Sequence, residues 1–160
     1  MPSNTFLSQD AAGVTYDEEV VIFAFAQESS ALTGSAAASV PVKIAHRAGR
    51  VVGCFIGVAT PATSASGFVS GTVDAGVRIN SAAVLSTNPS IVMAGSAAQA
   101  IRKSTNAGGG VSAVVNAGSA AFVAGAQISV DWNARSVGSA AAGAAGSGLI
   151  VGVLLRYDSV

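Results

Sequence analysis

A repeat of two residues constrains this chain more than any other feature. In Gln127-Ile128-Ser129-Val130-Asp131-Trp132-Asn133 every second residue is apolar. Ile128, Val130 and Trp132 fall on one face, and Gln127, Ser129, Asp131 and Asn133 on the other. Side chains alternate across a β-strand, so this pattern describes a strand with one buried face. Thr72 to Ile79 repeats it, with Val73, Ala75, Val77 and Ile79 opposed to Thr72, Asp74, Gly76 and Arg78. Asn80-Ser81 then interrupts, and Ala82-Ala83-Val84-Leu85 resumes. That break reads as a hairpin or tight corner, because Asn tolerates a positive φ.

Shorter segments fit the same period. Val40, Val42 and Ile44 alternate with Pro41, Lys43 and Ala45. Val51 to Ala59 is apolar on both faces, with Gly53 and Gly57 on one of them. Ile91-Val92-Met93 follows Pro89, and Val111 to Val115 follows the triple glycine 108–110. In the last segment Leu149, Val151, Val153, Leu155 and Tyr157 share one face, and Ile150, Gly152, Leu154 and Arg156 the other. A strand apolar on both sides is covered twice, by the core and by something else. Glu19 to Ala26 has two readings. Thr15-x-x-Glu18 has the form of a helix capping box. Val20-Val21-Ile22-Phe23-Ala24-Phe25 is rich in β-branched and aromatic residues and favours strand.

Seven or eight short strands emerge, separated by Gly, Ser, Asn and Pro, and no amphipathic helix. Such a pattern belongs to an all-β sandwich or barrel. Ala, Gly and Ser supply 73 of the 160 residues. Abundant Ala suggests helix, but here it clusters with Ser and Gly between strands, as at 35–39 and 139–147. The length suits one domain. Small side chains bury little apolar area each, so a thin core gains from further burial in an oligomer. The two-sided segments supply the candidates for that surface: Val21, Phe23, Phe25, Ile150, Leu154 and Arg156.

The net charge is zero, yet the charges are separated along the chain. Residues 1–28 hold Asp10, Asp17, Glu18, Glu19 and Glu28 and no Lys or Arg; all 8 basic residues come later. The first 15 or so residues also lack strand alternation. Residues 1–18 therefore read either as a frayed terminus or as an extended acidic arm docking on a basic surface of a neighbour. Phe6 and Leu7 would anchor such an arm, with Asp10, Tyr16, Asp17 and Glu18 making its contacts. The remaining residues, 19–160, form the sandwich domain.

Chemistry is sparse. His46 is the one histidine and Cys54 the one cysteine, a poor start for a metal site or a nucleophile. No P-loop and no Gly-x-Ser-x-Gly elbow occurs. Glu18 and Glu19 are adjacent, so on a strand their carboxylates face opposite ways. Asp74 and Asp131 lie on the polar faces of two strands and read as salt-bridge partners of Arg78 or Arg135. Scattered basic residues and zero net charge give no footprint for nucleic acid. The uncharged stretches are too polar or too short for a membrane span. The first residues carry no secretory signal, so folding in a cytosol is expected. No enzyme, cofactor or metal is expected.

The order of segments resembles that of the jelly-roll head decoration (cement) proteins of tailed bacteriophages. The resemblance rests on Val20 to Phe25, Val40 to His46, Val51 to Val58, Gly71 to Asn80, Val84 to Thr87, Phe122 to Asp131 and Gly148 to Tyr157. It covers roughly residues 20–157. Two positions depart from the family pattern. Asn80-Ser81 stands where Asn-Gly is usual, and Gly125-Ala126-Gln127 where Gly-Asp is usual. The resemblance implies a jelly-roll homotrimer on the outer surface of an icosahedral head, binding and cementing neighbouring copies of the major capsid protein. The alternative is a jelly-roll binding module of a phage fibre or a carbohydrate-binding domain. That reading expects exposed aromatic residues gathered at one end of the sandwich.

Overall fold

The structure is a computed structural model and describes residues 5–9, 15–25, 34–35, 40–60, 70–92, 111–137 and 147–158. Asp10, Glu28, the triple glycine and the small-residue stretches at 36–39 and 139–146 lie outside the described residues. The strands are β1 (Thr5–Gln9), β2 (Thr15–Phe25), β3 (Gly34–Ser35), β4 (Val40–Ile44), β5 (Gly49–Thr60), β6 (Ser70–Ile79) and β7 (Ala82–Ala83). They continue with β8 (Leu85–Thr87), β9 (Ser90–Val92), β10 (Val114–Val115), β11 (Ala121–Phe122), β12 (Gln127–Val137) and β13 (Ser147–Tyr157). None of the described residues is helical. The segment with two readings is strand: the capping-box threonine, Thr15, is the first residue of β2.

Every pairing is antiparallel. The first sheet runs β1-β2-β13-β5-β11. The second is built on β12 and β6, with β3 and β4 along the free side of β12, and β7 and β9 along that of β6. Four pairs are nested in the chain: β2 with β13, β4 with β12, β5 with β11, and β6 with β9. Two more, β13 with β5 and β12 with β6, join these pairs side by side. An antiparallel ribbon rolled up in this way is a jelly-roll β-sandwich. β1 pairs along the start of β2, Thr5 opposite Glu19 through Gln9 opposite Thr15, so the 18/19 boundary falls inside one strand.

The core lies between the two sheets, where the alternation placed it. Leu149, Val151, Val153, Leu155 and Tyr157 of β13 face Val73, Ala75, Val77 and Ile79 of β6 and Ile128 and Val130 of β12, all buried. Trp132 packs against this cluster from the inner face. The buried aliphatics are mainly Val and Ile, each contributing about 1.5–3 kcal/mol when fully removed from water.

Register shifts in three pairings, those of β8 with β10, β4 with β12 and β5 with β13, break the strict alternation; the last two shape one end of the sandwich. In β5, Leu154 pairs with Gly53 and Leu155 with Val51, so Val52 is the extra residue. Val51 and Cys54 therefore both point inward although they are three apart. In β4, Ile128 pairs with Lys43 but Ser129 with Pro41, leaving Val42 extra. This overturns the simple reading of that strand. Ile44 is 58% exposed, while Lys43 turns toward the interior. Pro41 is accommodated because this strand lies along the sheet edge and is bulged. The corner at Asn80-Ser81 is a two-residue hairpin joining Ile79 to Ala82, with φ of 47° and 74°.

Candidate functional site

At one end of the sandwich the charged residues converge. Glu19 sits on the inner side of β2 and is 4% exposed. Lys43, turned inward by its bulge, donates from Nζ to Oε1 of Glu19 at 2.6 Å. The Tyr157 hydroxyl donates to Oε2 at 2.7 Å. Both carboxylate oxygens are thus engaged, one from each sheet. Burial pushes the Glu19 carboxyl up, but the bonds from Lys43 and Tyr157 and the charges of Lys43 and His46 outweigh it. Its pKa is held below the usual carboxylate value. Burial and the bond to Glu19 push the Tyr157 hydroxyl well above its ordinary value.

The loop after β4 completes this end. The His46 ring lies 4.4 Å from that of Tyr157, centroid to centroid. The Arg47 guanidinium sits 5.3 Å above the same ring and pairs through Nη2 with Asp17. Phe122 meets Tyr157 edge to face at 5.9 Å. Gly49 is required here, since a Cβ would lie 2.3 Å from the Arg156 carbonyl oxygen. On the outer side of β2, Glu18 accepts from Nε and Nη2 of Arg156 at 2.9 and 2.6 Å. Adjacent glutamates therefore face opposite ways, as strand geometry requires.

Three acidic residues of the first 28 are neutralised within the chain, by Arg47, Arg156 and Lys43. The separation of charge along the sequence brings strand β2 onto its basic partners. A fourth pair, Arg78 Nε with Asp131 Oδ2 at 2.6 Å, lies on the outer face of the second sheet over Gly76. It is the salt bridge expected from the alternation.

The outer face of the first sheet is the other notable surface. Ile150 and Leu154 are half-buried there, and Ile22 is 53% exposed. On this face three large apolar side chains of β5 and β13 each face a glycine on the neighbouring strand: Leu154 opposite Gly53, Phe55 opposite Gly152, and Ile150 opposite Gly57. The Phe55 ring lies so close over Gly152 that a Cβ there would sit 2.0 Å from it. The large apolar groups lie over the glycines, in rows next to the one that holds the Glu18–Arg156 ion pair.

Of the residues proposed for contacts, Asp17 and Glu18 are held by intramolecular ion pairs, and Arg156 by the latter. Phe6, Leu7 and Tyr16 register with Glu18, Asp17 and Ser8 in the edge hairpin. Val21 packs against the core, and Phe23 and Phe25 register with Val151 and Leu149. Ile150 and Leu154 share the outer face. Sequence reasoning missed Lys43, His46 and Arg47, because a bulge and a loop bring them to Tyr157. It also missed Ile22 and Phe55, although the Gly53, Gly57 and Gly152 spacing carried that signal.

Among the described residues no group of three or more His, Cys, Asp or Glu is placed to hold a metal ion. Burial raises the Cys54 thiol to about 12, which leaves it un-ionised and unreactive at neutral pH. The Glu19 cluster is a clamp between sheets: its carboxylate is buried, and each of its oxygens accepts a hydrogen bond. Compared with known proteins, the chain matches no family model, no curated protein and no solved structure.

Proposed function

We propose that this chain is a structural virion protein that binds the outer surface of an icosahedral phage head and cements neighbouring capsid subunits. One observation carries the reading. The segments on which the resemblance rests lie, in chain order, on strands of this all-β sandwich: β2, β4, β5, β6, β8, β11 with β12, and β13. A fold has many uses, so the surface must support the role as well. Among the described residues, four acidic and four basic side chains pair with each other within the chain, and the exposed groups include aliphatics. Val123 is 67% exposed beside Ala45 and Gly125, at the same end as Ile44. Such groups suit a protein contact better than a polar substrate.

The test is cosedimentation of purified protein with heads of the phage that encodes it, stripped of this chain. Saturable binding at a fixed ratio to the capsid subunit is expected, together with heads that withstand higher temperature before releasing DNA. Heads that bind none of it, or bind it with no gain in stability, overturn the reading. The binding-module alternative loses support from Trp132, which faces the core.

A further inference from the structure

We propose that this chain meets the capsid protein with the end of the sandwich that carries Ile44 and Val123. The inference rests on the virion reading and adds to it a surface and an orientation.

Three short connections build this end. Residues 45–48 join β4 to β5, Asn80-Ser81 joins β6 to β7, and residues 123–126 join β11 to β12. Hydrogen bonds lock them to one another. The Ala45 N–H donates to the Ala126 carbonyl at 2.9 Å, and the Gly125 N–H to that of Ala45 at 2.7 Å. The Asn80 N–H donates to the Gln127 carbonyl, and its Oδ1 accepts from the Gln127 N–H, both at 2.9 Å. Ile44 and Val123 belong to this base, and they are the two most exposed large apolar side chains among the described residues. An apolar group held out on a rigid base can be buried in a partner with little further ordering, which lowers the entropic cost of binding. The opposite end is connected by longer links: β5 to β6 and β12 to β13 each take nine residues, 61–69 and 138–146.

The charges behind the patch are matched. Lys43 pairs with Glu19, and Arg47 with Asp17. Covering this end therefore strands no single member of either pair, the costly case for a desolvated charge. Arg50 and Asp158 are exposed at the same end and supply polar groups for a rim. The partner surface that fits is an uncharged apolar hollow with a polar border. The long sides of the sandwich remain for contacts between copies, with Ile22 on the first sheet and Val111 and Val114 beside β9 and β8. A ring of copies standing side by side leaves the ends free, so the trimer that the resemblance implies and the capsid contact use different surfaces.

Maleimide labelling of single cysteines, in the purified protein and on stripped heads, tests the surface. Cys54 is buried and un-ionised at neutral pH, so it gives no background. The thiols of Val123→Cys and Ile44→Cys are expected to react readily in the free protein and roughly tenfold or more slowly on heads, because a covered thiol is shielded from the reagent. The Val114→Cys thiol is expected to react equally in both. Val123→Asp is expected to weaken head binding roughly tenfold or more, with unchanged circular dichroism and oligomeric state, since a carboxylate is costly to bury without a partner. Val123→Leu is expected to preserve binding. Heads that bind the unmodified protein yet leave both thiols as reactive as before, or that shield Val114→Cys instead, overturn this proposal alone. A Val123→Asp variant that binds like the parent, or that falls into smaller oligomers and so places the patch between copies, also overturns it alone. Heads that bind no unmodified protein overturn the virion reading, and this proposal with it.

Discussion

The Tyr157 hydroxyl donates to Oε2 of Glu19 at 2.7 Å, joining residues 138 positions apart. The other oxygen of the same carboxylate takes Lys43 from the facing sheet. One side chain therefore ties β2 to β13, the last strand, and one sheet to the other.

Removing this carboxylate strands a lysine turned toward the interior. Glu19→Ala is expected to destabilise the fold by about 3–5 kcal/mol, since breaking one partner of a buried pair leaves an uncompensated charge. Tyr157→Phe is expected to cost about 1–3 kcal/mol through the lost bond to a charged acceptor. The double variant Glu19→Met/Lys43→Met is expected to lie much closer to the parent than Glu19→Ala. Urea unfolding of the four proteins measures all of this; a Glu19→Ala variant as stable as the parent contradicts the clamp.

The same bond sets the pH range of stability. The Glu19 pKa is lowered from the ordinary 4.5 by folding. Its contribution is therefore complete above about pH 4.5 and is lost as pH falls through the lower folded value. Tyr157 is raised from 10.0, and Cys54 from 9.0 to about 12. Their contributions are complete below those starting values and are lost as pH rises beyond them. Thermal melts are expected to show a plateau between about pH 5 and 9, falling on both sides. Glu19→Gln is expected to flatten the acid limb, and Tyr157→Phe the alkaline one.

The Phe55–Gly152 pair is sterically exclusive. A Cβ at position 152 would meet Phe55 Cζ at 2.0 Å and Cε1 at 2.1 Å, so Gly152→Ala must displace the ring. The expected cost is about 1–3 kcal/mol. Adding Phe55→Ala removes the obstacle, so the double variant is expected to cost less than the sum of the two singles. A double-mutant cycle in urea checks the sign; strict additivity refutes the contact.

Ser81 occupies a conformation that suits glycine, with φ of 74°. Ser81→Gly is expected to relieve strain and raise stability by up to about 1 kcal/mol, seen as a higher Tm. A lower Tm shows that the serine side chain contributes something the backbone geometry does not reveal.

The alternation by itself determined the strands at Thr72–Ile79, Gln127–Asn133 and Leu149–Tyr157, their inner faces and the turn at Asn80-Ser81. It also separated Glu18 from Glu19 onto opposite faces and matched Arg78 with Asp131. Those outcomes follow from the local period of an extended chain, which every residue carries in its own neighbourhood. Tertiary structure alone decided that Lys43 turns in and Ile44 out, because a bulge at Val42 shifts the period and no local pattern marks it. It alone brought His46, Arg47 and Phe122 around Tyr157, since ring and charge contacts between distant strands depend on how the ribbon rolls. The charge separation was visible as a count, but its use as three ion pairs within one chain required β2 to lie beside β13 and across from β4.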